Sequence, residues 1–203
     1  MSGLRPPPEE AKTMPHVDLP DLPGIRALFV AYPETGRVLS ELAQVLLHEP
    51  RALSRADREL IATHVSYLND CLYCQSSHQA IATHHLDGDA ALAERVKVDP
   101  ENAPIPEKLK ALIAIAAQVQ RGGKHVRPEH VLRARNAGAS DQEIHDAVLI
   151  AAVFCMYNRY VDGLATMAPS DPNGYLERAE PVAKHGYVWN LQRVLGSAAS
   201  GKE

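Results

Sequence analysis

An all-α fold is the reading this sequence supports, and three observations carry it. From about residue 24 to residue 170, apolar side chains recur at three- and four-residue steps, the period of a helix with a buried face. Helix punctuation brackets these stretches: Ser54 and Ser140 open two of them, Pro106 and Pro128 stand near the start of two more, and Gly122, Gly123 and Gly138 follow their ends. Nowhere do strand-like runs alternate with helical ones as a βαβ fold requires, so a thioredoxin-type sheet is not expected.

The 203 residues suffice for one good core, and 45% hydrophobic with 23% charged side chains is the balance of a soluble globular chain. A net charge of −4 and a pI near 6.2 give no electrostatic reason to bind nucleic acid or an anionic membrane. No apolar run reaches membrane-spanning length, and the first residues lack the apolar segment of a secretion signal. A cytoplasmic setting is therefore expected.

Three regions follow along the chain. Residues 1–23 are rich in proline and read as an extended arm, suited to lying on a neighbouring subunit. Residues 24–170 form the helical domain. Residues 171–203 hold one more helix and a frayed tail.

Within the domain, "GIRALFVAY" is a short helix ended by Pro33, and "GRVLSELAQVLLHE" is a longer amphipathic one. Ser54 with Asp57 in capping-box spacing starts the next helix, where Leu60, Ile61, His64, Val65 and Leu68 trace one stripe with Glu59 at its edge. A break at Asn69–Asp70 makes Asp70 the expected N-cap of a helix from Cys71 to about His84. "PEKLKALIAIAAQVQ", "RPEHVLRARNAG" and a long helix opened by Ser140 and Glu143 complete the set. The long helix is apolar on every side from Ala147 to Phe154, which suits a core or a subunit interface.

The chemistry concentrates in "NDCLYCQSSHQA", residues 69–80. Cys71 and Cys74 are three apart and His78 lies four beyond, so all three share one helix face. The spacing admits a redox dithiol, half a zinc site or coincidence. In a reducing compartment such a pair is more often catalytic or metal-binding than structural. A zinc site would use Cys71, Cys74, His78 and one of His64, His84 or His85, but no second Cys-x-x-Cys and no distal His-x-x-x-His is present. Covalent haem needs histidine where Gln75 stands. No flavin, haem, nucleotide or phosphate-loop signature appears, so no cofactor and no metal is called for.

Glu59, twelve residues before Cys71, together with Cys71-x-x-Cys74-x-x-x-His78, resembles the alkylhydroperoxidase D-like core of the carboxymuconolactone decarboxylase superfamily, closely over Leu53 to His85. The tyrosine in "CLYC" and the later "YNRYVDGLA" are similar to its peroxidase-related branch. The resemblance implies an AhpD-like helical bundle assembled as a homo-oligomer (dimer, trimer or hexamer) and a cysteine-based alkyl hydroperoxide reductase. In that scheme Cys74 attacks a small hydroperoxide, and Cys71 resolves the sulfenic acid into a disulfide. A disulfide-reducing protein partner then donates electrons, and Glu59 starts a proton relay through His78 and a water. The family places a histidine just before the second cysteine; Tyr73 stands there in this chain, which removes one relay member.

The helix dipole favours the thiolate at Cys71, in the first turn, by roughly 0.3–1 kcal/mol. A hydrogen-bonded base outweighs that contribution, so His78 favours Cys74. Other residues carry plainer readings. His64 is expected as a core or interface histidine, Cys155 as a small buried hydrophobe, and His84–His85 as an exposed helix end. Tyr67 and Tyr73 line the pocket or merely pack, and Asn158 with Asp162 bond across to the motif helix or form a polar seam. Two rival functions stand beside the peroxidase: a dithiol oxidoreductase that feeds electrons to a separate peroxidase, and a non-redox lyase like the decarboxylases of the superfamily.

Overall fold

A computed structural model describes residues 14–200, the side chains of 198–200 excepted; the start of the expected N-terminal arm, residues 1–13, lies outside them. Every regular element among the described residues is helical: α1 (Ile25–Ala31), α2 (Pro33–Ala43), a π-helical turn (Gln44–His48), α3 (Arg55–Leu68), α4 (Leu72–His85), α5 (Ala90–Val98), α6 (Glu107–Arg121), α7 (Pro128–Asn136), α8 (Asp141–Gly163) and α9 (Asn173–Ser200). The part of the arm that is described lies on its own chain, where the His16 amide donates to the Leu164 carbonyl and the Gly24 amide to that of Met167. None of the described helices is long and apolar enough to cross a membrane.

The punctuation acts largely as its chemistry dictates. Ser54 accepts from the Asp57 amide at 3.0 Å, and Ser140 and Glu143 exchange both bonds of a capping box. Pro33 does end α1, yet it also occupies the first position of α2, where a missing N–H costs nothing. Two expectations need correction, and one helix was not expected. Asp70 does not cap the motif helix: its φ of +58° places it in a left-handed turn, and Cys71 takes the N-cap position, one residue later than expected. α5 was not legible because its nine residues give little more than two turns of periodicity, although Asp89 caps it through the Leu92 amide. Finally, α3 does not expose a face opposite a stripe. Nine consecutive residues, Arg58 to Ser66, are buried, whereas Leu68 is 38% exposed.

α3 is buried all round because it is the central helix. α4 packs along it most extensively, and α5, α6 and α8 close its other sides. Its polar residues are satisfied internally: Arg58 donates to the Leu46 carbonyl at 2.9 Å, and His64 Nδ1 pairs with the Lys97 carbonyl at 2.8 Å. Burial holds His64 below its usual pKa, as befits a neutral structural histidine. α8 is buried through Ala147, Ile150, Ala151, Val153 and Phe154, but Ala152 and Met156 are exposed, so one side stays open. A second, smaller apolar cluster joins α4 to α9 and contains both motif cysteines.

One buried ion pair ties the loop before α3 to α8. Arg51 grips the fully buried Asp146 through Nε at 2.8 Å and Nη2 at 2.6 Å. Burial alone raises the carboxyl pKa of Asp146, but the Arg51 hydrogen bonds, helped by His145 and Gln142, outweigh it and keep the group ionised. Arg51→Ala therefore strands a buried carboxylate and is expected to cost about 3 kcal/mol in urea unfolding. A loss below about 0.5 kcal/mol would show that water replaces the guanidinium.

Candidate active site

Of the four sequence-selected side chains, Cys74 and His78 line one cavity, Glu59 bonds to His78, and Cys71 precedes Cys74 at the start of the same helix. Glu59 comes from the middle of α3, Cys71 from the N-cap of α4, Cys74 from its third position, and His78 from its second turn. Helix geometry alone aligns the last three; the packing of α3 along α4 brings in the carboxylate. His78 Nδ1–H donates to Glu59 Oε2 at 2.7 Å, and the two side chains are 13% and 2% exposed, so the pair is closed on the Glu59 side and open on the imidazole side. With Nδ1 committed to the carboxylate, Nε2 is left as the acceptor.

His78 makes no direct hydrogen bond to Cys74, so a proton passes between them only through a bridging group. Both line one cavity of about 100 Å³ with Tyr73, Ser77, Phe154 and Tyr187. Such a space admits a water or the reacting end of a small molecule. The Phe154 ring meets His78 edge-on at 4.6 Å and fixes the imidazole plane.

The two cysteines are free, buried thiols and differ in surroundings. Hydrogen bonding to Cys74, then burial, pushes the Cys71 thiol far above its ordinary pKa, so Cys71 keeps its proton and offers it to the neighbouring sulfur. Cys74 sits at the third position of α4, where unpaired helix amides favour negative charge. The dipole does not single out Cys71, because the cysteine at the cap and the one a turn inside share the same helix end. Burial holds the Asp162 carboxyl on α8 above its ordinary pKa, an effect that Cys71 partly offsets. Asn158 bonds instead to Ser66 at 3.1 Å and, through its oxygen, to Asn69 at 2.8 Å, which braces the turn before the motif.

Tyr187 is the residue that sequence reasoning missed. Its hydroxyl donates to Glu59 Oε1 at 2.6 Å, so both carboxylate oxygens are occupied, and its ring stacks over His78 at 6.1 Å. Burial, followed by the Glu59 charge, pushes the phenol well above its ordinary pKa, and it remains a donor. Its placement depends on two irregularities. α9 breaks at Gly186, whose φ of +85° and lack of Cβ let it press on Gln44; a Cβ there would lie 2.2 Å from the Gln44 oxygen. That same oxygen accepts from the Tyr187 amide at 2.8 Å, and Ser40 Oγ donates to the Tyr187 carbonyl at 2.9 Å. Gln44 opens the π-helical turn, a feature that often re-aims side chains at functional sites. A glycine inside a helical pattern, followed by tyrosine, was the available signal.

Of the other candidates, Tyr73 alone reaches the cavity. His64 bonds to the Lys97 carbonyl; His84 and His85 meet edge to face at the end of α4. Tyr67 is 39% exposed, whereas Tyr73 is buried in the cavity wall under Gly24, whose φ of +56° and missing side chain make room for the ring. Cys155 is half-buried, with the Asn69 amide 3.6 Å from its sulfur. Among the described residues no three His, Cys, Asp or Glu side chains converge as a metal site.

Comparison with known proteins gives a consistent outcome. The profile of the Carboxymuconolactone decarboxylase family matches residues 33–99 and 89–168. A peroxidase-related protein from Silicibacter sp. TM1040 superposes with a TM-score of 0.69 at 25% identity, over 84% of this chain and 96% of its own. An "alkylhydroperoxidase AhpD core" protein of Ralstonia eutropha JMP134 gives 0.69 at 23% identity, over 76% and 80%. A putative antioxidant defence protein AhpD of Agrobacterium tumefaciens gives 0.64 at 18%, over 78% and 100%. No curated protein sequence matches this chain.

Proposed function

Because the chain belongs to the carboxymuconolactone decarboxylase family, with an AhpD-like all-α fold, we propose that it is a thiol peroxidase that reduces organic hydroperoxides with Cys74 and Cys71. The observation that carries this reading is the His78–Glu59 pair at 2.7 Å opening onto the same cavity as the Cys74 thiol. The Cys74 proton passes by way of a water to His78 Nε2, and Glu59 steadies the imidazolium. The thiolate attacks the terminal oxygen of the hydroperoxide. An S–O bond forms as the O–O bond breaks, and the alkoxide takes a proton back from His78 and leaves as an alcohol. Cys71 then attacks the sulfenic sulfur, water departs, and the disulfide forms; an external dithiol protein returns two electrons and two protons.

The test follows thiols and peroxide together. Reduced protein treated with cumene hydroperoxide is expected to lose two thiols per peroxide consumed and to gain a Cys71–Cys74 disulfide, seen as a two-hydrogen mass loss in the linking peptide. Peroxide left unconsumed by fully reduced protein removes the proposal. A second reading, an acid–base lyase, is favoured by the completeness of the Glu59–His78–Tyr187 cluster without either sulfur. Lyase activity would survive Cys74→Ser, whereas peroxide reduction would not.

A further inference from the structure

The cavity beside Cys74 is mostly apolar, with Ile25, Phe29, Ile81, Val182 and Leu191 in its walls, yet two arginines, Arg26 of α1 and Arg178 of α9, also face it. No aspartate or glutamate lies among the described residues that line it, although the chain as a whole carries a net charge of −4. The Arg178 guanidinium packs 5.3 Å from the centre of the Tyr175 ring, which itself stands against Tyr73. Its Nη2 is buried and has no hydrogen-bond partner among the described residues. Gly174 leaves it room: a Cβ at that position would stand 3.3 Å from Nη2. A buried donor without an acceptor is costly, so the Arg178 Nη2 suits an incoming anion.

We propose that Arg178 binds the carboxylate of the substrate, which makes that substrate an organic acid with a compact apolar body. The identity of the reacting group rests on the peroxidase reading, in which the acid carries a hydroperoxide that Cys74 attacks. The carboxylate itself takes no part in bond making or breaking; it sets the reacting end toward the sulfur. Guanidinium binds a carboxylate through two parallel N–H donors, a geometry that a neutral amide of the same shape cannot match.

Binding to the reduced full-length protein measures this without any turnover. By calorimetry, hexanoate is expected to bind at least about tenfold more tightly than hexanamide, the scale of one charge-assisted hydrogen-bond pair. It should also slow the alkylation of Cys74 by iodoacetamide. Arg178→Gln is expected to bring acid and amide within about twofold, and Arg178→Lys to restore part of the preference. Equal affinity of the wild type for acid and amide overturns the proposal, as does hexanoate binding that leaves Cys74 unshielded. The wild-type comparison needs no variant to fold. Preferential hexanoate binding in a protein that ignores hydroperoxides leaves the anion site standing and removes the peroxidase; peroxide reduction without that preference does the reverse.

Discussion

Cys74→Ser is expected to abolish hydroperoxide reduction, with a loss of more than about a thousandfold, while Cys71→Ser reacts once and stalls. A serine hydroxyl is a weak nucleophile at neutral pH and has no sulfur to receive oxygen, so the first step has no substitute. Cys71 has a different task. It is fully buried, it keeps its proton, and its thiol is hydrogen-bonded to Cys74. Without it the sulfenic acid at Cys74 forms but cannot condense, and one equivalent of peroxide is consumed per chain. A sulfenic-acid trap followed by mass spectrometry checks this: the adduct should appear on Cys74 in Cys71→Ser and be absent in Cys74→Ser. Both replacements put a hydroxyl in a buried position, so circular dichroism and the urea midpoint accompany the rates. Equal residual activity in the two variants would reverse or erase the assigned roles.

Glu59→Gln is expected to lower the rate of Cys74 oxidation by about 10²–10³-fold, within the span that general acid–base catalysis contributes. The reason lies in hydrogen-bond polarity. Glu59 accepts from Tyr187 with one oxygen and from His78 Nδ1–H with the other. Glutamine offers one acceptor and one NH₂, so one of those donors must face another donor. The cheapest remedy is for His78 to move its proton to Nε2. The imidazole then presents a donor to the cavity in place of a base. Tyr187→Phe removes one hydroxyl without disturbing the tautomer and should slow the reaction only about tenfold. Glu59→Gln should shift stability by no more than about 1 kcal/mol, because a single hydrogen bond changes character. Rates of Glu59→Gln within twofold of wild type, measured by stopped-flow oxidation of the reduced protein, would show that the carboxylate is structural.

Legibility of the site divided by distance along the chain. Cys71, Cys74 and His78 were readable because they lie within eight residues on a single helix, where spacing alone specifies who shares a face. Glu59 was readable only with the help of a known family pattern, since its meeting with His78 depends on how α3 packs on α4. Tyr187 had only the glycine before it as a signal, and Arg178 had none. They sit 128 and 119 residues from Glu59, on a segment that looked like a terminal appendage. A broken helix at Gly186 and a π-helical turn at Gln44 put Tyr187 over the carboxylate, and periodicity registers neither. The cap of α4 was misplaced for a local reason: aspartate is a good cap, but it also tolerates the left-handed conformation that Asp70 adopts.

The amino-acid order by itself determined the helical class, most helix ends and the thiol–imidazole face, because these follow from interactions within a few residues. Only the tertiary structure decided that α3 is central, that its carboxylate is shared by His78 and Tyr187, and that two arginines look into the cavity beside Cys74. Those contacts join residues far apart in the chain, and their partners are selected by the packing of whole helices rather than by any local propensity.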